Sequence, residues 1–554
     1  MKQRYKILLI SFISCFIVLI ARFFYWQVIK SPQLKAQALS QIYKLEKDIP
    51  TRGSIYSSDN FPLVINDYGY KISIYKPNLT EDLNSVLNTI DSIHPNFLKD
   101  NELVLNNFKT NQQQKWIDLN TVFSLSEKNK LQNINGLVIS LVENRYYSEN
   151  NLAKNILGFV AHNSQGHNIG YGGIEAYYNK QLQGKTGFIW SPQDATGKTI
   201  LTKKSWNSNS TNGLNLYTSI NRSIQYQTEK ILSEGIEKYQ ADSGMIIIME
   251  TESGRILSMA SATATTSASI DPSRNPNIAN LFEPGSIFKP LVVTMALDKK
   301  TIDKDYICTQ CHQPRSIGSF TINNWDNSTH PNSSLQDIIK NSDNIGMSYI
   351  ISQLGLKNFL EYYQKLSLNK KTGIDIQGES KPTIKTNWPE IDLATASFGQ
   401  GIVVTQINML QAFNTLANDG VLVSPKIIDY FKNDLDQITY PKNQPPTTVF
   451  SQNSVKQIKS ILKYAVENSV VSSLKPKNLE ICGKSGTAQV AVKGNYTDSS
   501  IIGSYVGFSP CDKPKFTMIV TINNPKSSSW GSSTAAPIWF ELASKINFLL
   551  LLRH

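Results

Sequence analysis

The chain has 554 residues, long enough for two or three domains, and its 40% hydrophobic and 18% charged content is that of a globular protein. Its formal net charge is +12, but no Lys/Arg run exceeds a pair. With no zinc-ligand spacing and no aromatic RNA-binding motif, nucleic acid is excluded as a partner, and the basic balance fits a surface facing anionic lipid or wall polymer.

At the N-terminus Lys2, Arg4 and Lys6 precede an uncharged apolar stretch over residues 7–21. Past Arg22 the apolar and aromatic FFYWQVI runs on to Ile29. Together they make a helix of roughly 22 residues, enough to span a bilayer, with Arg22 snorkelling and Trp26 at the interface. No small-x-small cleavage site follows. The expected layout is a cytoplasmic tail over 1–6, an uncleaved anchor over 7–29 and the bulk of the chain outside.

Residues 30–212 read as a separate mixed domain, rich in Asn, Lys and Ser, with short helical and strand patterns and no catalytic cluster. A second domain is expected over 213–554, opening on LNLYTSINRSIQYQTEKIL as a strand and a helix. SGMIIIMETESGRILSMAS (243–261) is a hairpin, two apolar β-rich runs joined by Glu252-Ser253-Gly254.

The stretch EPGSIFKP (283–290) places Ser286 and Lys289 three apart, ahead of the apolar LVVTMAL. Residues at i and i+3 share a helix face, and an unprotonated lysine can take the proton of a serine nucleophile. Alone the spacing means little, since Ser472 and Lys475 repeat it. Two further motifs follow in order. Ser342-Asp343-Asn344 lies in LQDIIKNSDNIGMSYIISQLG, a helix–break–helix pattern, and Lys484-Ser485-Gly486-Thr487 leads into a strand-like TAQVAV. The strands IGSYVGFSP and KFTMIVTINNP and a closing helix from Ala536 complete the chain.

Several look-alikes are set aside. Gly-Lys-Thr/Ser at 184–186, 197–199 and 483–485 lacks the first glycine of a P-loop, with Asn179, Pro192 and Asn478 in its place. Lys-Thr-Gly at 185–187 and 371–373 does not lie on a strand that follows the helical middle. Five cysteines are too few for a disulfide framework; Cys308 and Cys311 read as a local disulfide or two thiols rather than a metal site, and Cys482 and Cys511 as strand or turn positions.

The trio Ser286-x-x-Lys289, Ser342-x-Asn344 and Lys484-Ser485-Gly486 resembles the active site of penicillin-binding proteins and serine β-lactamases. ARFFYWQVI (21–29), TRGSIYSSDNFPLV (51–64) and GYGGIEAYYNKQLQGKTG (170–187) are similar to the anchor exit and pedestal motifs of class B penicillin-binding proteins. LATASFGQGIVVTQINMLQAFNTLANDG (393–420) and GIDIQGES (373–380) resemble the family's core helix and its Gly-Ile-Asp-Leu-x-Gly-Glu loop.

The resemblance implies an α+β protein: a membrane anchor, a non-catalytic pedestal of the dimerisation type, then a transpeptidase domain whose antiparallel sheet, completed by both ends of the domain, has helices on both faces. In the pedestal it gives Arg52 and Glu175 structural roles. The implied activity is a D,D-transpeptidase cross-linking peptidoglycan stem peptides that end in D-Ala-D-Ala, inhibited covalently by β-lactams, without a metal or an organic cofactor.

By the same resemblance Ser286 is the nucleophile and Lys289 its base, its pKa brought below about 10.4 by burial and by Lys484. Ser342 relays a proton between Lys484 and the leaving amine, and Asn344 orients Lys289 and the peptide amide. Ser485 and Thr487 bind the substrate carboxylate beside Lys484, Gly486 leaves room for the substrate, and the N–H groups of Ser286 and Thr487 form the oxyanion hole.

Ser-x-Asn leans towards the cell-division (septal) type, which works with a membrane glycosyltransferase and other division proteins at the bacterial inner membrane. The alternatives are a β-lactamase, with Glu379 as a tempting base but Thr383 where class A enzymes need asparagine, and a sensor or wall-synthesis scaffold without turnover.

Overall fold

The structure is a computed structural model that describes residues 2–111, 113–149, 152–163, 168–192, 206–264, 273–492 and 495–551. The chain divides into two compact units, one of Met1–Arg52 with Gln183–Gly213 and one of Gly53–Leu182 with Leu214–His554.

The first unit begins with α1 (Lys2–Phe24), which continues through a π-helical turn to Ile29. This 28-residue helix is predominantly apolar and unburied, and at about 1.5 Å per residue it is long enough to cross a bilayer. A helix over Ser31–Ile42 leads into a strand, Tyr43–Asp48, that pairs antiparallel with Gly187–Pro192. The register sets Leu45 opposite Trp190 and Lys47 opposite Phe188, so the exposed Leu45, Phe188 and Trp190 share one face.

The second unit is organised by a five-stranded antiparallel sheet, β1 (Ser243–Glu250), β2 (Ile256–Thr263), β3 (Cys482–Val492), β4 (Asn495–Ser509) and β5 (Phe516–Asn523), in the order β2-β1-β5-β4-β3. The late strand β5 pairs along the whole of the early β1, Ser243 with Asn523 and Glu250 with Phe516. The sheet is therefore completed by both ends of its domain, as the sequence suggests.

Both faces are covered, which is why SGMIIIM is apolar at nearly every position instead of alternating. Ile246 and Ile248 pack with α2 (Arg222–Tyr239) and α8 (Ala535–Leu551), around the buried Trp539. Ile247 and Met249 belong to the opposite core, with α3 (Lys289–Asp298), α4 (Leu335–Lys340), α5 (Asn344–Leu354), α6 (Gln406–Ala417) and α7 (Gln452–Glu467). Every residue of α6 is buried, its polar side chains included; Gln406 and Asn414 find partners in the carbonyls of Met245 and Thr251.

Residues 53–182 join this body through a second sheet. Its long strand Pro62–Tyr75 pairs with Leu137–Tyr147, and the short strand Ile55–Tyr56 runs beside Leu216–Tyr217. Ile55, Val64, Ile156 and Ile174 lie in the same apolar core as α3 and α5. Glu175, fully buried, meets the Arg145 Nε at 2.8 Å, and Arg145 also donates to Asn66 Oδ1 and to the Gly53 carbonyl, both at 2.7 Å. Arg52, the other pedestal residue given a structural role, is buried as well.

The cysteines fit the positions read from the sequence, and one pairing goes beyond that reading. Cys308 is bonded to Cys311, which resolves the first pair as a local disulfide, and Cys482 on β3 is bonded to Cys511 just beyond β4. The register sets Cys482 opposite Phe508, so strand pairing brings together cysteines separated by 29 positions in sequence. Spacing alone does not show that.

Candidate active site

Ser286 lies in a 3-10 turn, Gly285–Phe288, that runs straight into α3, whose first residue is Lys289. In a 3-10 turn i and i+3 eclipse, so the expected stacking of serine and lysine is realised in a tighter helix than an α-turn. Two glycines seat this turn. The Gly285 N–H donates to the Gly399 carbonyl at 3.0 Å, and a Cβ at Gly399 would meet Gly285 O at 2.2 Å. A Cβ at Gly486 would meet Ile287 Cγ2 at 2.9 Å and Ile287 N at 3.1 Å. The space Gly486 leaves is thus filled by Ile287 of the Ser286 turn, where the sequence reading assigned it to the ligand.

The second motif sits at the break between α4 and α5. Ser342 has φ of +56°, the left-handed region that a side chain enters only at a cost of about 1–2 kcal/mol. Asp343 caps α5 by accepting from the Gly346 N–H at 2.8 Å, and Asn344 is the first helical residue. The left-handed step at Ser342 turns its carbonyl and the Asn344 side chain toward the same amine. Lys289 Nζ donates to Ser342 O at 2.5 Å and to Asn344 Oδ1 at 2.7 Å, and lies 3.1 Å from Ser342 Oγ.

Lys289 is wholly buried. Burial pushes its pKa well below the usual lysine range, the nearby Lys484 pushes it the same way, and Asp343 opposes them. Its hydrogen bonds do not contradict a neutral amine. Two N–H groups satisfy the two carbonyl-type oxygens, and the lone pair is left for a hydroxyl. Lys484, on the terminal strand β3, is buried too, which lowers its pKa to about 8; its Nζ donates to the Ser485 carbonyl at 2.9 Å.

Ser286, Ser342, Asn344, Lys484, Ser485, Gly486 and Thr487 all line one cleft of about 900 Å³, with Lys289 beneath it. Along β3 the buried Lys484 and Gly486 alternate with the partly exposed Ser485 and Thr487. Thr487 Oγ1 accepts from the Gly531 N–H at 3.1 Å, which leaves its hydroxyl proton to donate. Among the described residues no group of three or more His, Cys, Asp or Glu is placed to hold a metal ion.

Glu379 does not line the cleft. Its carboxylate closes the 372–379 loop, accepting from the Thr372 N–H at 2.5 Å, the Thr372 hydroxyl at 2.7 Å and the Gly373 N–H at 3.2 Å. A β-lactamase role for it has no geometric basis.

The sequence reading missed several supporting residues. Asn324 Oδ1 accepts from the Asn344 N–H at 2.7 Å, Phe398 lines the cleft, and Trp325 and Trp530 meet at its rim with ring centroids 4.8 Å apart. His330 also lines the cleft. The available signal was the polar run NNWDNSTH, a loop pattern that names no partner until the chain is folded.

The chain is similar to known proteins over most of its length. The family model described as the penicillin binding protein transpeptidase domain matches residues 244–544, and that of the penicillin-binding protein dimerisation domain matches 47–218. The stage V sporulation protein D of Bacillus subtilis is 28% identical over 74% of this chain, and the match spans 64% of that protein's length. A peptidoglycan D,D-transpeptidase FtsI homolog of Mesostigma viride is 26% identical over 97% of this chain and 94% of its own. Among solved structures, a peptidoglycan synthetase from Bifidobacterium adolescentis superposes with a TM-score of 0.72 at 23% identity, covering 91% of this chain and 96% of its own.

Proposed function

Since the chain belongs to the class B penicillin-binding proteins, we propose that it cross-links peptidoglycan as a serine D,D-transpeptidase with Ser286 as nucleophile. The observation that carries this reading is the buried Lys289 amine, held between Ser342 and Asn344 and three residues beyond the serine.

Ser286 Oγ attacks the penultimate carbonyl of a stem peptide ending in D-Ala-D-Ala, and its proton passes to the neutral Lys289 amine. Ser342, 3.1 Å from Lys289 Nζ, passes a proton to the departing D-alanine nitrogen. The C–N bond breaks and an acyl ester remains on Ser286. The amino group of a second stem peptide attacks that ester, loses its proton through the same path and restores the serine.

The Lys484 ammonium and the Ser485 and Thr487 hydroxyls hold the terminal carboxylate. The N–H groups of Ser286 and Thr487 serve the oxyanion, a contribution whose loss typically costs about 100- to 1000-fold. A β-lactam follows the first half of this course and stalls as the ester.

Lys2, Arg4 and Lys6 ahead of the apolar helix support an N-terminus in the cytoplasm and a catalytic domain outside the inner membrane. On this reading residues 30–212 are the pedestal and 213–554 the catalytic domain. The Ser-x-Asn motif and the likeness to an FtsI homolog over 97% of the chain support septal wall synthesis, with a membrane glycosyltransferase and division proteins as partners.

The test is intact-mass spectrometry of the full chain in detergent with benzylpenicillin, wild type beside Ser286→Ala. A lasting penicilloyl adduct on the wild type alone is expected. An adduct that vanishes as penicillin is consumed would mean a β-lactamase, and no adduct on either protein would mean a scaffold or a site closed to this drug.

A further inference from the structure

The reaction as written leaves His330 unused, although it borders the cleft beside Ser342 and Asn344. Its Nδ1 lies 2.9 Å from Asp343 Oδ2, and that carboxylate is 1% exposed. A carboxylate only accepts hydrogen bonds, so the neutral imidazole carries its proton on Nδ1; Nε2 lies 3.2 Å from Ser328 Oγ, whose hydroxyl donates to Asp326 at 2.7 Å.

The loop around His330 is tied down from several sides. The His330 N–H donates to the Cys311 carbonyl at 3.1 Å, beside the Cys308–Cys311 disulfide. Asn324 Nδ2 donates to the Ser328 carbonyl at 3.0 Å while its Oδ1 receives the Asn344 N–H at 2.7 Å. The same loop thus grips both the imidazole and the first turn of α5. Support for the helix cap alone would need only a neutral donor at this place.

The charged groups around the imidazole give it a second use. Asp343 faces it from the start of α5 and Asp326 from its own loop, while Lys340 of α4 and Lys484 of β3 border the same cleft. Behind Asp343 lies Lys289, whose ammonium form the Asp343 charge favours. A second proton on His330, at Nε2, would make an imidazolium–carboxylate pair of no net charge and remove that pull.

We propose that His330 is a positioning residue for the acyl transfer, acting through Asp343. Its Nδ1–H steadies the carboxylate that caps α5 and so fixes Asn344, and its protonated form offsets the Asp343 charge near Lys289, which keeps the lysine a base into mildly acidic solution. The inference deepens the transpeptidase reading and rests on it.

The experiment is the second-order rate constant for acylation of the full chain by a fluorescent penicillin, followed from about pH 5 to about pH 8, the range in which histidine titrates. His330→Asn keeps a neutral donor for Asp343 but cannot become charged. It is expected to match the wild type at the upper end and to move the acid limb upward by about one pH unit, the size of a close-charge effect. His330→Ala, which strands the carboxylate, is expected to be slower at every pH.

Profiles of wild type and His330→Asn that coincide throughout would overturn the proposal. Should the alanine variant not fold, His330→Gln, a second neutral donor that cannot become charged, decides the matter: it must move the acid limb in the same direction as His330→Asn, and a profile that coincides with the wild type overturns the proposal. A wild type that is not acylated at all would sink the transpeptidase reading itself, whereas an acylated wild type with unmoved variants sinks only the role of His330.

Discussion

Lys289 Nζ and Asn344 Oδ1 lie 2.7 Å apart beneath the cleft, the amide oxygen accepting from the amine. An amide at this place satisfies one N–H of a neutral lysine without holding a second proton on it. A carboxylate in the same position would hold that proton. Asn344→Asp is therefore expected to raise the Lys289 pKa and to slow acylation at neutral pH by about 100-fold or more, the usual weight of a general base. Part of the rate should return as pH rises. Stopped-flow acylation by a fluorescent penicillin across pH checks this, and an unchanged rate at neutral pH would remove Lys289 from the role of base.

Lys484 sets a limit from the other side. Burial brings its pKa to about 8, so below that pH it is an ammonium able to hold a carboxylate, and above it the charge is lost. The second-order acylation constant, which reports the free enzyme, should fall above about pH 8 and approach a slope of about tenfold per pH unit. Lys484→Gln should be slower throughout and should lose this alkaline limb. A limb that survives in the variant belongs to another group.

Ser342 stores backbone strain at the motif. Its φ of +56° disfavours any side chain, so Ser342→Gly should unfold at a higher temperature than Ser342→Ala, by the equivalent of about 1 kcal/mol. Both variants lack the hydroxyl and should lose cross-linking alike. Equal unfolding temperatures would mean that the left-handed step carries no strain.

The buried pair of Arg145 and Glu175, 2.8 Å apart, makes a prediction about stability alone. Glu175→Ala strands a guanidinium that is 6% exposed and should cost about 3–5 kcal/mol. Thermal unfolding measures the loss, and below the new transition the rate of acylation per folded molecule should be unchanged. A fall in that rate would give Glu175 more than a structural role.

The three motifs that line the cleft were legible in the sequence because each is a short pattern: serine and lysine one turn apart, a serine–asparagine break between helices, and lysine–serine–glycine at the head of a strand. The hairpin at 243–261 and the late strands were legible for the same local reason, and their pairing followed from the family resemblance. Tertiary structure reassigned individual residues. Glu379, a candidate base by spacing, closes its own loop, and Gly486, a candidate ligand position, accommodates Ile287.

What the sequence by itself determined is the set of motifs that line the cleft, the order in which the chain delivers them and the class of fold that holds them, since these depend on neighbours within a turn or a strand. Only the folded chain decided which groups are charged and where they point. The lowered pKa of Lys289 arises from burial and from Lys484, 195 positions away in sequence (484 − 289). The seat of the Ser286 turn depends on Gly399, the Cys482–Cys511 bond on strand register, and the place of His330 on Asp343 and Cys311. Burial and charge are properties of what surrounds a group in space, and a local pattern does not contain them.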